Sequence, residues 1–453
     1  MARIALASSL LLVLAACSSA SSEAGPSSSP PASVGWTDAP RSIEVGEGLE
    51  VSVPFAPPSS AEVTVDAPEG ITTRTEDGKL FVRAGYGMGD VTPIVVTVTE
   101  PGRAPSTTSV PLTVKHLAWT AHYSWKTGPS AREHGAFFVD PASNAALLFQ
   151  GSGFKPQLKP LDDAWRFDLG AGTWSTWTPT GDLPKAPGAA RRVAQLRGQS
   201  LAYLHGGYVG FRDTEDADPD LFRVDVHAGT FHRIAQEDAP EGRELHVFGQ
   251  IDRGGDPTRA RLVLFGGVTP GASTAILGDT WIADVDGDVA RWSRVATTRA
   301  PSARYGSFVG VDAKLQRLFL WSGAQMPTSA SDTVNAASDA WALDFSSDPP
   351  TWSKLSPSGD APHGRRNGCS MYDEEGHRLF VFGGTSDGRT SEKGLWVLDL
   401  TKGREAWTRL ALAGEPPVRS SGFGFVDASG RLTCGFGNDA DLYTDVHVLG
   451  YAQ

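Results

Sequence analysis

Residues 301–323 read PSARYGSFVGVDAKLQRLFLWSG, and residues 362–384 read PHGRRNGCSMYDEEGHRLFVFGG. Each opens on Pro-x-x-Arg (Pro301 to Arg304, Pro362 to Arg365) and closes on an unbroken apolar run followed by glycine. The opening recurs from Pro129 to Arg132, Pro240 to Arg243 and Pro416 to Arg419, with a stretched copy from Pro187 to Arg191. The apolar run recurs as LLFQGSG (147–153), AYLHGG (202–207), LVLFGG (262–267) and LTCGFG (432–437). Downstream of each run an aromatic stands three residues before an aspartate: Trp165/Asp168, Phe222/Asp225, Trp281/Asp284, Trp341/Asp344 and Trp396/Asp399. His447 and Gly450 hold those places in the last copy. A second aromatic follows in five copies, at Trp174, Phe231, Trp292, Trp352 and Trp407.

The register is 51–61 residues, the length of one four-stranded propeller blade with its loops. An inner blade strand faces neighbours on both sides, so it reads as a continuous apolar run rather than an alternating one. LVLF, LFLW and LFVF read that way. The glycines permit positive φ and close backbone approach, the aspartates precede short turns where a carboxylate can accept backbone N–H groups, and each large aromatic can fill the wedge between blades.

These features together resemble the kelch repeat, in which Gly-Gly follows the second strand and a tryptophan sits on the fourth. The resemblance covers about three quarters of the chain, residues 116–453, and implies an all-β propeller of six blades. The last copy stops at Gln453, just after TDVHVLG (444–450), which matches a third strand. Residues 117–125 (LAWTAHYSW) carry Trp119 and stand ahead of the first Pro-x-x-Arg, as a fourth strand without a blade. Pairing the two closes the ring and removes two exposed sheet edges.

Ahead of the repeats lie three shorter segments. Residues 1–16 (MARIALASSLLLVLAA) combine Arg3, an apolar stretch and small residues before Cys17, the pattern of an export signal, and too short for the roughly 20 residues that span a bilayer. Leu14-Ala15-Ala16-Cys17 resembles the lipobox of bacterial lipoproteins. That resemblance implies a diacylglycerol thioether on Cys17 (lipidation with palmitate-type chains) and, with Ser18 next, an outer-membrane address. Residues 17–33 then form a lipidated, Ser/Pro-rich tether, with a span of roughly 20–24 Å. Residues 34–115 alternate in short runs such as Leu49, Val51, Val53 and Phe55, separated by turn signals. About 80 residues in six or seven strands resemble an immunoglobulin-like β-sandwich, expected to act as a spacer or docking module.

The chain has 453 residues with 40 Lys plus Arg against 52 Asp plus Glu, a formal charge of −12. That balance argues against a phosphate-binding surface, and no nucleic-acid partner is expected. With Cys17 assigned to lipid, Cys369 and Cys434 remain, and their apolar strand-like settings favour two buried free thiols over a disulfide. No HExxH, CxxC, P-loop or GxSxG string occurs. Asp284, Asp286 and Asp288 fit a hairpin better than a calcium loop, and the run Asp213, Glu215, Asp216, Asp218, Asp220 fits a solvated loop. No metal, cofactor or catalytic residue is assigned.

The favoured reading is a monomeric, lipid-anchored envelope protein whose propeller binds a protein, peptide or glycan. Two alternatives stand beside it: a propeller enzyme on extracellular carbohydrate, such as a galactose-oxidase-like one, and a purely structural envelope protein. The copper enzymes' Tyr–Cys cross-link and two-histidine set find no matching motif. Candidate binding residues fall into two groups. The repeat arginines Arg132, Arg191 or Arg192, Arg243, Arg304, Arg365 and Arg419 either hold backbone carbonyls at blade edges, which is favoured, or ring the channel mouth for an anion. Tyr208, Phe211, Arg212 and Met326 sit on long loops between second and third strands (about 208–219, 268–278 and 324–338), where recognition tends to concentrate.

Overall fold

The structure, a computed structural model, describes residues 35–452 apart from 90–91, 155–157, 211–214, 252–255, 257, 271–273, 298 and 326–334. The described chain is all β, and no helix in it is long and apolar enough to cross a membrane. From Leu117 onward, the repeats fold as six sets of four antiparallel strands. The fourth set shows the pattern. Phe308–Asp312, Arg317–Trp321, Ala340–Asp344 and Thr351–Leu355 pair in chain order. The second and third sets join edge to edge, because Thr230–Glu237 pairs in parallel with Val289–Arg294. In the sixth set, the fourth strand is Leu117–Ser124, antiparallel to Asp445–Tyr451. Both ends of the repeat region therefore meet in one sheet.

Six apolar clusters lie between neighbouring sets and complete a circle. The second aromatics of the repeat fill these wedges. Phe231 packs between the first and second sets, Trp292 between the second and third, Trp352 and Trp407 between the next two pairs. Trp174 and Trp119 do the same on either side of the sixth set. A buried aromatic of this size contributes about 3 kcal/mol through burial alone, so the wedge position tolerates little else.

The glycine pairs have a specific steric cause. Gly206, Gly266 and Gly383 have φ of 70°, 63° and 68°. A Cβ there would stand 2.5, 2.5 and 2.0 Å from the carbonyl oxygens of Arg243, Arg304 and Arg419, the arginines of the next repeat. The second glycine donates its N–H to the same carbonyl: Gly207 to Arg243 at 3.0 Å, Gly267 to Arg304 at 2.9 Å and Gly384 to Arg419 at 2.8 Å. Gly437 donates to Arg132 at 2.9 Å, carrying the pattern from the sixth set back to the first.

Two expectations about the repeats are corrected. Cys369 and Cys434 form a disulfide, with Cα atoms 6.0 Å apart, because their strands face each other across the wedge between the fifth and sixth sets. Asp218 and Asp220 are buried rather than solvated, since Asp218 is the ion-pair partner of buried Arg191 at 2.8 Å and Asp220 pairs with Arg233 at 2.5 Å.

The N-terminal segment is a separate β unit. Glu50–Pro54, Lys79–Ala84 and Ile71–Glu76 form one sheet, and Glu62–Asp66, Ile94–Thr99 and Ser106–Val110 form another. Ile43–Gly46 pairs in parallel with Leu112–Lys115, giving eight strands rather than six or seven. Trp36, Phe55, Leu80, Val82 and Val96 are among its core residues.

Candidate functional site

One end of the ring is built by the Pro-x-x-Arg loops and the connections between second and third strands. Short pairings hold them together: Arg132–Glu133 with Ser152–Phe154, Gly188–Ala189 with Tyr208–Val209, and Tyr305 with Ala324. Each repeat arginine is buried, and four of the six are fastened in the same way. In Arg304, Nε donates to Ser302 O at 2.9 Å, and Nη1 donates to Ser322 O at 3.3 Å and to Asp339 Oδ1 at 2.6 Å. Arg132 bonds Asp163, Arg243 bonds Asp279 and Arg419 bonds Asp445 with the same fork. Burial opposes the charge on Asp163, Asp279 and Asp339, but the arginine and a tryptophan Nε1–H hold each carboxyl below its ordinary value. The fifth repeat departs from this. Gly394 stands where the aspartate would be, so Arg365 reaches only Glu392, at 4.0 Å, and Trp396 Nε1 is buried without a partner. These six arginines (Arg191 in the stretched copy) lie within the wall.

The channel end inside them is a belt of residues in the left-handed region: His134 (φ 55°), Ala190 (58°), Leu245 (52°), Gly306 (66°), Asn367 (56°) and Ser421 (55°). Backbone N–H groups link them from set to set: Ala190 to His134 O at 3.0 Å, His134 to Ser421 O at 3.0 Å, Ser421 to Asn367 O at 2.5 Å, Asn367 to Gly306 O and Gly306 to Leu245 O, both at 2.8 Å. Below the belt is a cavity of about 330 Å³, lined by Arg192, His246, Asn367, Ser370 and Phe423 among others. Its walls are fixed by side chains that cross between inner strands. Gln195 brackets Val139, and Ser370 brackets Val309. Phe137 stacks on Phe423 with ring centres 3.5 Å apart.

The residues that follow the repeat arginines vary: Glu133, Arg192, Glu244, Tyr305, Arg366 and Ser420. These give the mouth its charge. The Arg192 side chain has no hydrogen-bond partner among the described residues, and its Nε is buried. Burial pushes its pKa down to about 10, against the attraction of Glu244. Arg366 donates to Tyr305 Oη at 2.5 Å and lies over that ring at 5.0 Å, yet its Nε is also buried without a partner. Asn367 Oδ1 is a third orphan. Burial raises Glu133 and Glu244 to about 7 and lowers His134 to about 3, the latter with help from Arg192 and Arg366. Unpaired buried polar atoms in this number are uncommon in a finished protein interior, and two free guanidinium edges with neutral imidazoles suit an anionic or hydrogen-bond-accepting ligand group.

Of the residues singled out in the sequence, Arg192 lines the cavity. Tyr208 lies on a short strand at the rim, its Oη 2.7 Å from Ser152 Oγ, with burial pushing its pKa up. Phe211, Arg212 and Met326, like Cys17, lie outside the described residues. Asp284 is forked by Arg261. Glu133, Glu244, Tyr305 and Arg366 were not singled out, although their position one residue after an invariant arginine, with no type held in common, is a visible signal.

Residues 257–453 match the family model described as the KLHDC2/KLHL20/DRC7 Kelch-repeats domain. The rice Adagio-like protein 3 is 27% identical over 289 residues, covering 62% of this chain and 42% of the rice protein. Adagio protein 3 of Arabidopsis thaliana is 29% identical over 322 residues, 69% of this chain and 46% of that one. The chain thus spans about half the length of the curated relatives it matches. A solved structure titled "Structure of YjhT" superposes with a TM-score of 0.51 at 13% identity, over 72% of this chain and 99% of that one. The cyclic glycine-to-arginine bonding and these matches together support a kelch-repeat protein.

Proposed function

We propose that the protein is a membrane-anchored envelope lipoprotein whose six-bladed kelch propeller binds a protein, peptide or glycan at the channel mouth. In this reading residues 1–16 direct export, Cys17 carries the lipid, and residues 34–115 form an immunoglobulin-like sandwich between tether and propeller. The kelch propeller is a known type of interaction module. The observation that carries the binding site is the set of orphaned polar atoms on Arg192 and Asn367, which line the cavity, and on Arg366, which acts together with Arg192 on the His134 imidazole. The buried disulfide supports export, because such bonds persist in oxidising compartments.

The test is capture from solubilised envelope by the immobilised full-length protein and by an Arg192→Ala/Arg366→Ala variant. Neither side chain belongs to the buried ion pairs, so the variant should keep its melting temperature and lose the partner. Equal capture by both would place binding elsewhere. For the anchor, wild type should sediment with membranes and Cys17→Ser should not; a processed but unacylated wild type would remove the lipid from the account.

A further inference from the structure

A second cluster of donor groups sits away from the mouth, at the seam where the ring closes. His122 on Leu117–Ser124 and His447 on Asp445–Tyr451 are direct cross-strand partners. Their Nδ1 atoms lie 3.1 Å apart, and the rings are 4.4 Å apart between centres. His122 is exposed and His447 is buried. On its other side, His447 Nε2 is 2.9 Å from Asp445 Oδ2. Asp445 is itself gripped by Arg419, at 2.6 and 3.2 Å.

These contacts decide where the proton on His447 sits. A carboxylate can only accept, so the short contact to Asp445 places the imidazole proton on Nε2. Arg419 Nη2, 3.4 Å from the same nitrogen, is then a neighbour and not a donor to it. With the proton on Nε2, the His447 Nδ1 facing His122 is the nitrogen that offers a lone pair. Asp445 thus stands toward His447 as carboxylates stand behind metal-bound histidines, fixing tautomer and orientation from the far side. Two imidazole nitrogens 3.1 Å apart fit one shared ion. With bonds of about 2.0–2.1 Å each they meet at about 100°, within the range of tetrahedral and octahedral sites.

We propose that His122 and His447 bind one borderline transition-metal dication, Zn²⁺ among them, across the closing seam of the ring. Imidazole ligands select this class over Mg²⁺ or Ca²⁺, which prefer oxygen. Both nitrogens enter as lone pairs, the His122 proton moving to its Nε2, and water completes the coordination. Because the two histidines come from opposite ends of the repeat region, the ion would cross-link the seam and stabilise the folded ring by mass action.

The full-length protein is stripped with chelator and titrated with ZnCl₂ at pH 7.5 by calorimetry, with melting temperature followed in parallel. One equivalent should bind and raise the melting temperature. His122→Ala, a change at an exposed side chain, should weaken binding at least tenfold and abolish the thermal shift. His227→Ala, removing an exposed histidine elsewhere, should change neither. Should His122→Ala give trouble in folding, His122→Gln keeps the polar surface and should lose Zn²⁺ equally. No saturable binding, or equal binding by wild type and His122→Ala, would overturn the site.

Discussion

The arginine that opens each repeat was recognisable in the sequence, but its partner was not. Asp163, Asp279 and Asp339 each stand two residues before a tryptophan whose Nε1 donates to the same carboxylate at 2.7 Å. The Asp-x-Trp spacing is present in the sequence, but the arginine its carboxylate pairs with is remote in the chain, whereas the aspartate after the tryptophan is explained by its own turn. Both aspartates have work: Asp168 accepts the N–H groups of Gly170 and Ala171 at 2.9 and 2.8 Å. Arg304→Ala should leave the Asp339 carboxylate without its fork. Breaking a buried pair from one side costs roughly 3–5 kcal/mol, and partial exposure of Asp339 (22%) places the loss near the lower end. Urea denaturation should show it, and a change within half a kilocalorie would remove the arginines from the structural account. Glu244 gives a second test with a defined sign. Its folded pKa, raised to about 7 by burial, exceeds its unfolded value near 4.3. The native state therefore holds a proton that the unfolded state has released, and this contribution to stability fades as pH rises from about 4.5 to 7. The slope is about 1.4 kcal/mol per pH unit. Glu244→Gln should remove that slope, so its stability relative to wild type should rise between pH 5 and 7. Parallel pH profiles would contradict a half-buried Glu244 that keeps its proton in the native state.

Strands and wedges are more legible in the sequence, because period and spacing carry the information. Apolar runs such as Leu318–Trp321 became fully buried second strands, and the Gly-Gly pairs became the points where one set touches the next. What the spacing could not carry was which elements face each other across a wedge. Cys369 and Cys434 are 65 residues apart in sequence, each in an ordinary apolar strand, and only the circular arrangement brings the fifth and sixth sets into contact. The same limit hid the mouth residues, since Arg192 and Asn367 matter through a cavity that several repeats build together. Closing a loop of that length in the unfolded chain stabilises the fold by about 4 kcal/mol in the chain-entropy account. Cys369→Ala/Cys434→Ala should lower the unfolding free energy by a few kilocalories, part of it from lost packing. Thiol titration of the denatured, unreduced wild type should find neither sulfur free. Two titratable thiols there would mean the bond is absent.

For the whole molecule, the N-terminal β unit is bonded directly to the seam of the repeats. The Glu47 carboxylate accepts the backbone N–H of Leu117 at 2.9 Å and lies 3.0 Å from His116 Nδ1, at the start of the closing strand. Arg378, buried on the fifth set, donates to Glu47 O at 2.7 Å, to Tyr86 Oη at 3.2 Å and to Tyr451 Oη at 2.9 Å. Tyr451 in turn donates to Glu47 O at 2.9 Å. One loop of the N-terminal unit thus grips both strands that close the ring, together with the set beside them. Three chains separate these contributions. The chain from Val34 retains everything; one from Lys115 keeps the closing strand and loses the Glu47 grip; one from Lys126 loses both. Removing residues 117–124 leaves Asp445–Tyr451 as an open edge and uncovers the wedge that Trp119 fills, and an unpaired edge invites association between chains. Melting temperature should therefore fall in the order Val34, Lys115, Lys126, with aggregation confined to the last. Equal values for the Lys115 and Lys126 chains would refute closure by strand exchange between the two ends. Equal values for the Val34 and Lys115 chains would show that the N-terminal unit adds nothing to the stability of the ring.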